Sequence, residues 1–312
     1  MTRNIPFVNE EVEKRDFKYY IFDWDDNILH MPTKIHMEHK RFDGVWEPVE
    51  LSTSTFALVR ADVEHYRPPT EGGWEAAFRD FADPKRDDEP NRFIEDTMDA
   101  LAEVSSGVKP SPSYNTFKKT LVEGRLFAIV TARGHAPSTI ERAVRLFIEN
   151  ALSPLERQIM MSNLRGYRRW LDKVEDFGTD EEELDYYLGM CRYSAVTYGG
   201  FKERMANDPI YKEKLAVATT ASRPELAKEF AIRDFVEHVF HMLRRKGGLT
   251  RSVAIGFSDD DKGNVKSVSN YIRAELSKRF DGIKFVVYDT SDRSLAKGRK
   301  VCVSGQMNLP GF

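Results

Sequence analysis

Apolar residues along this chain fall in short dense runs, each closed by a polar cluster and most followed by a segment of helical periodicity. The clearest runs are residues 17–22, 126–131, 252–257 and 283–288. Runs of this length with polar boundaries read as strands, and their near-continuous apolar character reads as strands buried on both faces. Pro137 and Ser138 open an amphipathic helix to about residue 150. Further helical patterns cover residues 74–81, 92–104, 113–123, 224–230 and 265–280. The repeated order of strand, polar terminus and helix predicts an α/β fold: a Rossmann-like parallel sheet flanked by helices, with right-handed crossovers.

The remaining segments interrupt this rhythm. Residues 35–38 and 45–49 flank the turn dipeptide Asp43-Gly44 and predict a hairpin, with Pro48 confining its second strand to an edge. Residues 157–161 predict a short strand. Residues 166–214 read as mostly helical and rich in charge and tyrosine. Residues 236–242 read as a strand containing His238 and His241, followed by a basic loop at 244–248.

Composition narrows the class. The chain has 312 residues, enough for one elaborated domain or two, and is 41% hydrophobic with 12% aromatics. A formal net charge of −3 gives no global signature of polyanion binding, so nucleic acid is not favoured as a partner. The two cysteines, Cys191 and Cys302, are far apart, which favours reduced, packed thiols over a disulfide framework. Residues 1–18 lack the apolar core of a signal peptide, and no run approaches the roughly 18 apolar residues of a membrane span. These features predict a soluble, cytoplasmic protein.

The chemistry sits at the strand ends. The first run ends in Asp23-Trp24-Asp25-Asp26-Asn27, the second in Thr131-Ala132-Arg133-Gly134-His135, and the third in Ser258-Asp259-Asp260-Asp261. In a parallel sheet these ends converge on one edge, where open α/β sheets hold their ligands. If strand geometry persists, Asp23 and Asp25 share a face, and like charges that close repel unless a cation or proton relieves them. Several carboxylates with a hydroxyl and a lysine suit a hard divalent metal and a phosphoryl group. Mg²⁺ takes oxygen ligands and is commonly held by one or two carboxylates plus substrate phosphate.

The ordered set D-x-D-x-N, apolar strand then Thr, lysine, and apolar strand then Asp-Asp resembles the haloacid dehalogenase-like (HAD) superfamily of phosphohydrolases. The resemblance covers a core of residues 16–30, 112–151 and 223–290. It implies an inserted cap or flap at 31–111, a second, mostly helical insertion at 152–222, and a C-terminal extension at 291–312. By this resemblance Asp23 is the aspartyl nucleophile of a Mg²⁺-dependent phosphoric monoester hydrolase, and Asp25 its general acid and base. Thr131 holds a phosphoryl oxygen, and Lys246 is the candidate lysine, with Lys228 and Arg245 as alternatives. Asn27, Ala132 and Arg133 would face the substrate. The metal shell would draw on Asp23, the carbonyl of Asp25, and Asp259 or Asp260. The chain departs from the family pattern at Asp26, where Gly is common, at Asn27, where Thr or Val is usual, and at Asn264, where an acid often stands.

The implied substrate is a small phosphorylated molecule. A phosphotransferase, a nucleic-acid-end phosphatase, or a catalytically silent module of the same fold are the alternatives. Trp24 would either wall the pocket or plug the core. Arg133 and His135 stand at the edge of the site with binding and surface roles both open. Tyr186, Tyr187, Tyr193 and Tyr198, with Arg165, Arg168, Arg169 and Arg192, form either a substrate contact or an ordinary helix face.

Overall fold

The computed structural model describes residues 12–86, 88–219, 223–245 and 252–305. Nine strands are present among them: β1 (Phe17–Phe22), β2 (Ile35–Lys40), β3 (Trp46–Leu51), β4 (Tyr66–Arg67), β5 (Phe127–Thr131), β6 (Arg192–Ala195), β7 (Val253–Asp259), β8 (Ile283–Asp289) and β9 (Arg299–Ser304). Six of them form the main sheet in the order β6-β5-β1-β7-β8-β9. Every pairing in it is parallel except β8 with β9. The α/β class read from the sequence therefore holds, and the sheet is compatible with a Rossmann-like fold.

The four apolar runs became the four inner strands because they bury side chains on both faces. All of β5 is buried, and so is β7 apart from Ala254. Around them packs an aromatic core in which Phe117 meets Phe22 at 5.3 Å, Phe127 at 5.2 Å and Phe147 at 4.9 Å between ring centroids. Trp24 lies within this core, fully buried and edge-on to Phe93 and Phe117. It is a hydrophobic plug.

The chain leaves β1, fills one side with β5 and β6, then returns to the other side with β7 and β8. The order reverses between β1 and β7, so their carboxyl ends flank the crevice where α/β sheets bind ligands. Tyr20 of β1 lies opposite Gly256, and a Cβ built there would stand 3.0 Å from the Tyr20 ring. The glycine lets the ring lie flat on the strand.

The hairpin formed as expected. β2 and β3 pair antiparallel across a turn in which Gly44 takes φ +84°, a conformation costly for a residue with a Cβ. Pro48 lies in β3 at the edge of the three-stranded sheet β3-β2-β4. Ile35, Met37, Leu51 and Ala77 form a small separate core beneath that sheet.

Several expectations are overturned. Residues 157–161 lie inside the helix Pro154–Tyr167, started by a capping box in which Ser153 and Glu156 exchange hydrogen bonds. Residues 236–242 lie inside the long helix Arg223–Arg245, whose buried face includes Val236, Val239 and Leu243 at helical spacing. Within the segment read as helical, Arg192–Ala195 is a strand at the edge of the main sheet, and Arg299–Ser304 closes the opposite edge. Among the described residues no helix is long and apolar enough to cross a membrane.

Candidate active site

The ladder between β1 and β7 continues one residue past the strand, where the Asp23 N–H donates to the Ser258 carbonyl at 3.0 Å. This fixes Asp23 beside Asp259, and the Thr290 N–H ties the Asp259 carbonyl to the end of β8 at 3.0 Å. Asp23, Asp259 and Asp260 then place one carboxylate oxygen each within 4.8 Å of one another. Asp23 and Asp259 are buried, with Asp260 half-buried.

The cation facing this cluster is Lys228, from the first turns of the helix Arg223–Arg245. Its ammonium donates to Asp259 Oδ2 at 2.6 Å and lies 3.7 Å from Asp23 Oδ1. Lys246, the leading candidate in the sequence, lies outside the described residues; of the two alternatives, Lys228 and Arg245, it is Lys228 that meets the cluster. Its signal was a lysine within the buried stripe, one turn before Ile232 and two before Phe235.

Three acids against one ammonium leave excess negative charge in a dry place. Burial pushes Asp23 well above the carboxylate range, and Asp259 and Asp260 push it further against the opposing pull of Lys228. Burial, then the charge of Asp259, raises Asp260 to about 8. Burial alone would lower Lys228, but Asp259 and Asp23 outweigh it and hold the ammonium above its usual value. Asp259 Oδ1 is fixed by the Asn264 side-chain amide at 3.1 Å and the Asp261 N–H at 2.9 Å. Asp261 caps the following helix, accepting from the Gly263 N–H at 2.6 Å and the Asn264 N–H at 3.1 Å.

Asp25 has other company. β1 ends at Phe22, so strand alternation does not carry through, and the carboxylate of Asp25 turns to Arg133 rather than to the metal-type cluster. The guanidinium grips it with Nη2 on Oδ1 at 2.6 Å and Nε on Oδ2 at 2.9 Å. Thr131 Oγ1 lies 3.4 Å from Asp25 Oδ2. The Asp25 carbonyl, expected as a metal ligand, accepts from the Asn27 N–H at 2.6 Å.

The turn after Asp25 gives Asp26 and Asn27 their roles. Asp26 takes φ +54°, the left-handed region where Gly is favoured and Asp is tolerated. Its carboxylate bonds His30 Nδ1 at 2.9 Å and Thr53 Oγ1 at 3.1 Å, and pairs with Arg293 at 3.1 Å. Burial would raise Asp26, but His30 and Arg293 outweigh it and lower it.

Asn27 is fully buried. Its amide donates to the Asp23 carbonyl at 2.9 Å and to Ser258 Oγ at 3.0 Å, and its oxygen accepts from Ser113 Oγ at 2.7 Å and Thr290 Oγ1 at 2.9 Å. It binds four segments of the chain together and does not face a substrate. Arg133 is likewise fully buried, so neither side chain has the expected open position. Ala132 alone of the three is exposed, its carbonyl accepting from Thr197 Oγ1 at 3.0 Å. Ser113, Ser258 and Thr290 were missed by sequence reasoning, as no local pattern links them.

His135 is fully buried against Phe93, with ring centroids 4.8 Å apart. Neither ring nitrogen has a hydrogen-bond partner among the described residues, and burial, then the charge of Arg133, pushes its pKa down to about 4. His238, on the long helix, bridges Arg192 and the carbonyl of Met190 at the end of the helix Asp180–Met190. The tyrosine and arginine group of the second insertion holds that segment together: Arg168 pairs with Glu183 at 2.7 Å and stacks on Tyr186, Arg165 pairs with Asp180 at 2.6 Å, and the Tyr187 hydroxyl donates to the Arg125 carbonyl at 2.6 Å.

Comparison with protein-family models, curated proteins and solved structures found no match.

Proposed function

We propose that this protein is a Mg²⁺-dependent phosphatase of the haloacid dehalogenase-like type, hydrolysing a small phosphomonoester through an aspartyl-phosphate on Asp23. One observation carries the reading: Asp23, Asp259 and Asp260 meet at the crevice between β1 and β7 with a buried lysine on two of them. The donors fit the ion. They are all oxygens, outnumber Lys228 three to one, and include two carboxyls that the site keeps protonated and that a cation would let ionise. Asp23, Asp259 and Asp260 would hold Mg²⁺, which when bound offsets charge on the phosphoryl oxygens.

The residues divide the work. A carboxylate oxygen of Asp23 forms a bond to phosphorus as the bond to the leaving oxygen breaks, and Asp25 gives that oxygen a proton. Water then attacks the phosphorus, giving its proton to Asp25 while the bond to Asp23 breaks and phosphate leaves. Lys228 keeps Asp259 and Asp23 oriented and partly neutralised. Asn27 holds the end of β1 against β7, and Asn264 steadies Asp259, so both departures from the family pattern serve the site.

The test is hydrolysis of an aryl phosphate with and without Mg²⁺, wild type against Asp23→Asn. Metal-dependent turnover lost in the variant supports the phosphatase. Transfer to an added alcohol in place of water would make it a phosphotransferase. No turnover over a broad phosphate panel would point to a silent binding module. Turnover confined to oligonucleotide ends, weakening steeply with salt, would identify a nucleic-acid-end phosphatase.

A further inference from the structure

Arg133 is where the first insertion reaches Asp25. It follows β5 on the core side, yet its surroundings come largely from residues 31–111. Phe81 and Phe93 lie over the guanidinium at 4.6 Å and 4.7 Å. Nη2, already on Asp25, also donates to Thr33 Oγ1 at 2.7 Å, and the Thr33 hydroxyl donates in turn to Asp96. The same seam is closed by backbone bonds, with the Gly134 N–H donating to the Phe81 carbonyl at 2.7 Å and the Ala136 N–H to Asp83 Oδ2 at 2.6 Å.

We propose that Arg133 is a positioning residue, through which the 31–111 insertion sets the orientation of the Asp25 carboxylate. This rests on the reading of Asp25 as the group that exchanges protons with leaving group and water. A solvated ion pair samples many geometries and contributes little. Here the side chain is 1% exposed, two aromatic rings pack against the guanidinium, and its planar fork meets both carboxylate oxygens, which restricts the pair to one arrangement. Lysine has no such fork and cannot hold both oxygens in one plane. Nε and Nη2 are committed to Asp25 and Thr33, Nη1 is buried without a hydrogen-bond partner among the described residues, and the measurements below separate positioning from direct contact with substrate. Proton transfer needs its donor and acceptor within hydrogen-bond reach, so loosening Asp25 slows the second step, where it must take a proton from water.

The experiment compares wild type, Arg133→Lys and Thr33→Val with an aryl phosphate and Mg²⁺, after melts establish which variants are folded. Both kcat/KM and the fraction of enzyme trapped as phospho-Asp23 by acid quench are measured. The expected result for Arg133→Lys is a fall in kcat of about 30- to 100-fold with KM within about twofold. The trapped fraction rises because breakdown of the phosphoenzyme is slowed more than its formation. Thr33→Val moves both readouts the same way by a smaller factor, and decides the matter if Arg133→Lys does not fold. A merely structural role would lower activity without changing the trapped fraction per active site, and a substrate-binding role would raise KM; either overturns the proposal. If Asp23→Asn keeps wild-type turnover, the reading of the site itself fails and the proposal with it. If Asp23→Asn is dead while both positioning variants behave as wild type, only the role of Arg133 fails.

Discussion

The two edges of the central sheet use the same residue types and treat charge in opposite ways. At the amino edge, around a cleft of about 570 Å³ that includes its open mouth, Arg125 pairs with Glu123 and Arg168 with Glu183, among Phe17, Tyr19 and Tyr187. At the carboxyl edge, Asp23, Asp259 and Asp260 share Lys228. Matched charge at one end fixes shape. Crowded acids at the other make the folded protein a poor home for its own carboxylates, and a site that could hold a metal ion.

The sharpest way to break this contrast is to change one acid at each end. Asp23→Asn is expected to lower aryl phosphate turnover by at least about 10³-fold while raising the melting temperature of the metal-free protein, since a buried acid that must take up a proton on folding is gone. Steady-state kinetics and calorimetry on one preparation check both. Glu123→Ala at the amino edge should do the reverse. It leaves buried Arg125 without its carboxylate and costs about 3 kcal/mol by urea unfolding, while kcat per folded molecule stays unchanged. Asn27→Ala stands between these two. Its lost bonds to Ser113, Ser258 and Thr290 should lower stability by about 2–4 kcal/mol and also lower kcat, because Asp23 loses its brace.

Metal should erase the contrast. Mg²⁺ at about a hundred times its dissociation constant adds about 2.7 kcal/mol to the native state, a rise of several degrees in melting temperature. Asp259→Asn should abolish most of that rise.

The remaining test is the pH dependence. Asp260, held at about 8 when folded, binds its proton more tightly than in the unfolded chain. The stability this contributes is complete below the ordinary carboxylate range and is lost as pH rises through about 8. Metal-free melting temperatures should therefore fall between pH 5 and pH 8.5, less so in Asp260→Asn and less so with Mg²⁺. A flat profile in the metal-free wild type would sink the claim of crowded acids.

The inner strands were legible because a strand buried on both faces has little freedom in composition: β1, β5, β7 and β8 all read as apolar runs. The edge strands β6 and β9 were not, since Arg192-Tyr193-Ser194-Ala195 and Arg299–Ser304 need bury only part of themselves. The helix around His238 was mistaken for a strand because Val236, Val239 and Met242 fit a short apolar run as well as a helical stripe. Helix length decided it, and that was set by packing. Of the site, the acids at strand ends were readable from position alone. The partners of Asn27 and Arg133 were not, because Ser113, Ser258, Thr290, Phe81 and Phe93 are brought there by the fold.

The neighbours of β1 in the sheet have a consequence for how the molecule is made. Residues 17–22 pair with residues 253–258, so Asp23 is synthesised long before the strand bearing Asp259 and the helix bearing Lys228. A chain emerging amino end first carries Asp23 and Asp25 through most of translation with no metal cluster to join. Because β1 and β7 must find each other across more than two hundred residues, that pairing closes late and slowly. The acidic crevice comes into being only once β1 has met β7, so the cluster is a property of the finished fold and of no shorter piece of it.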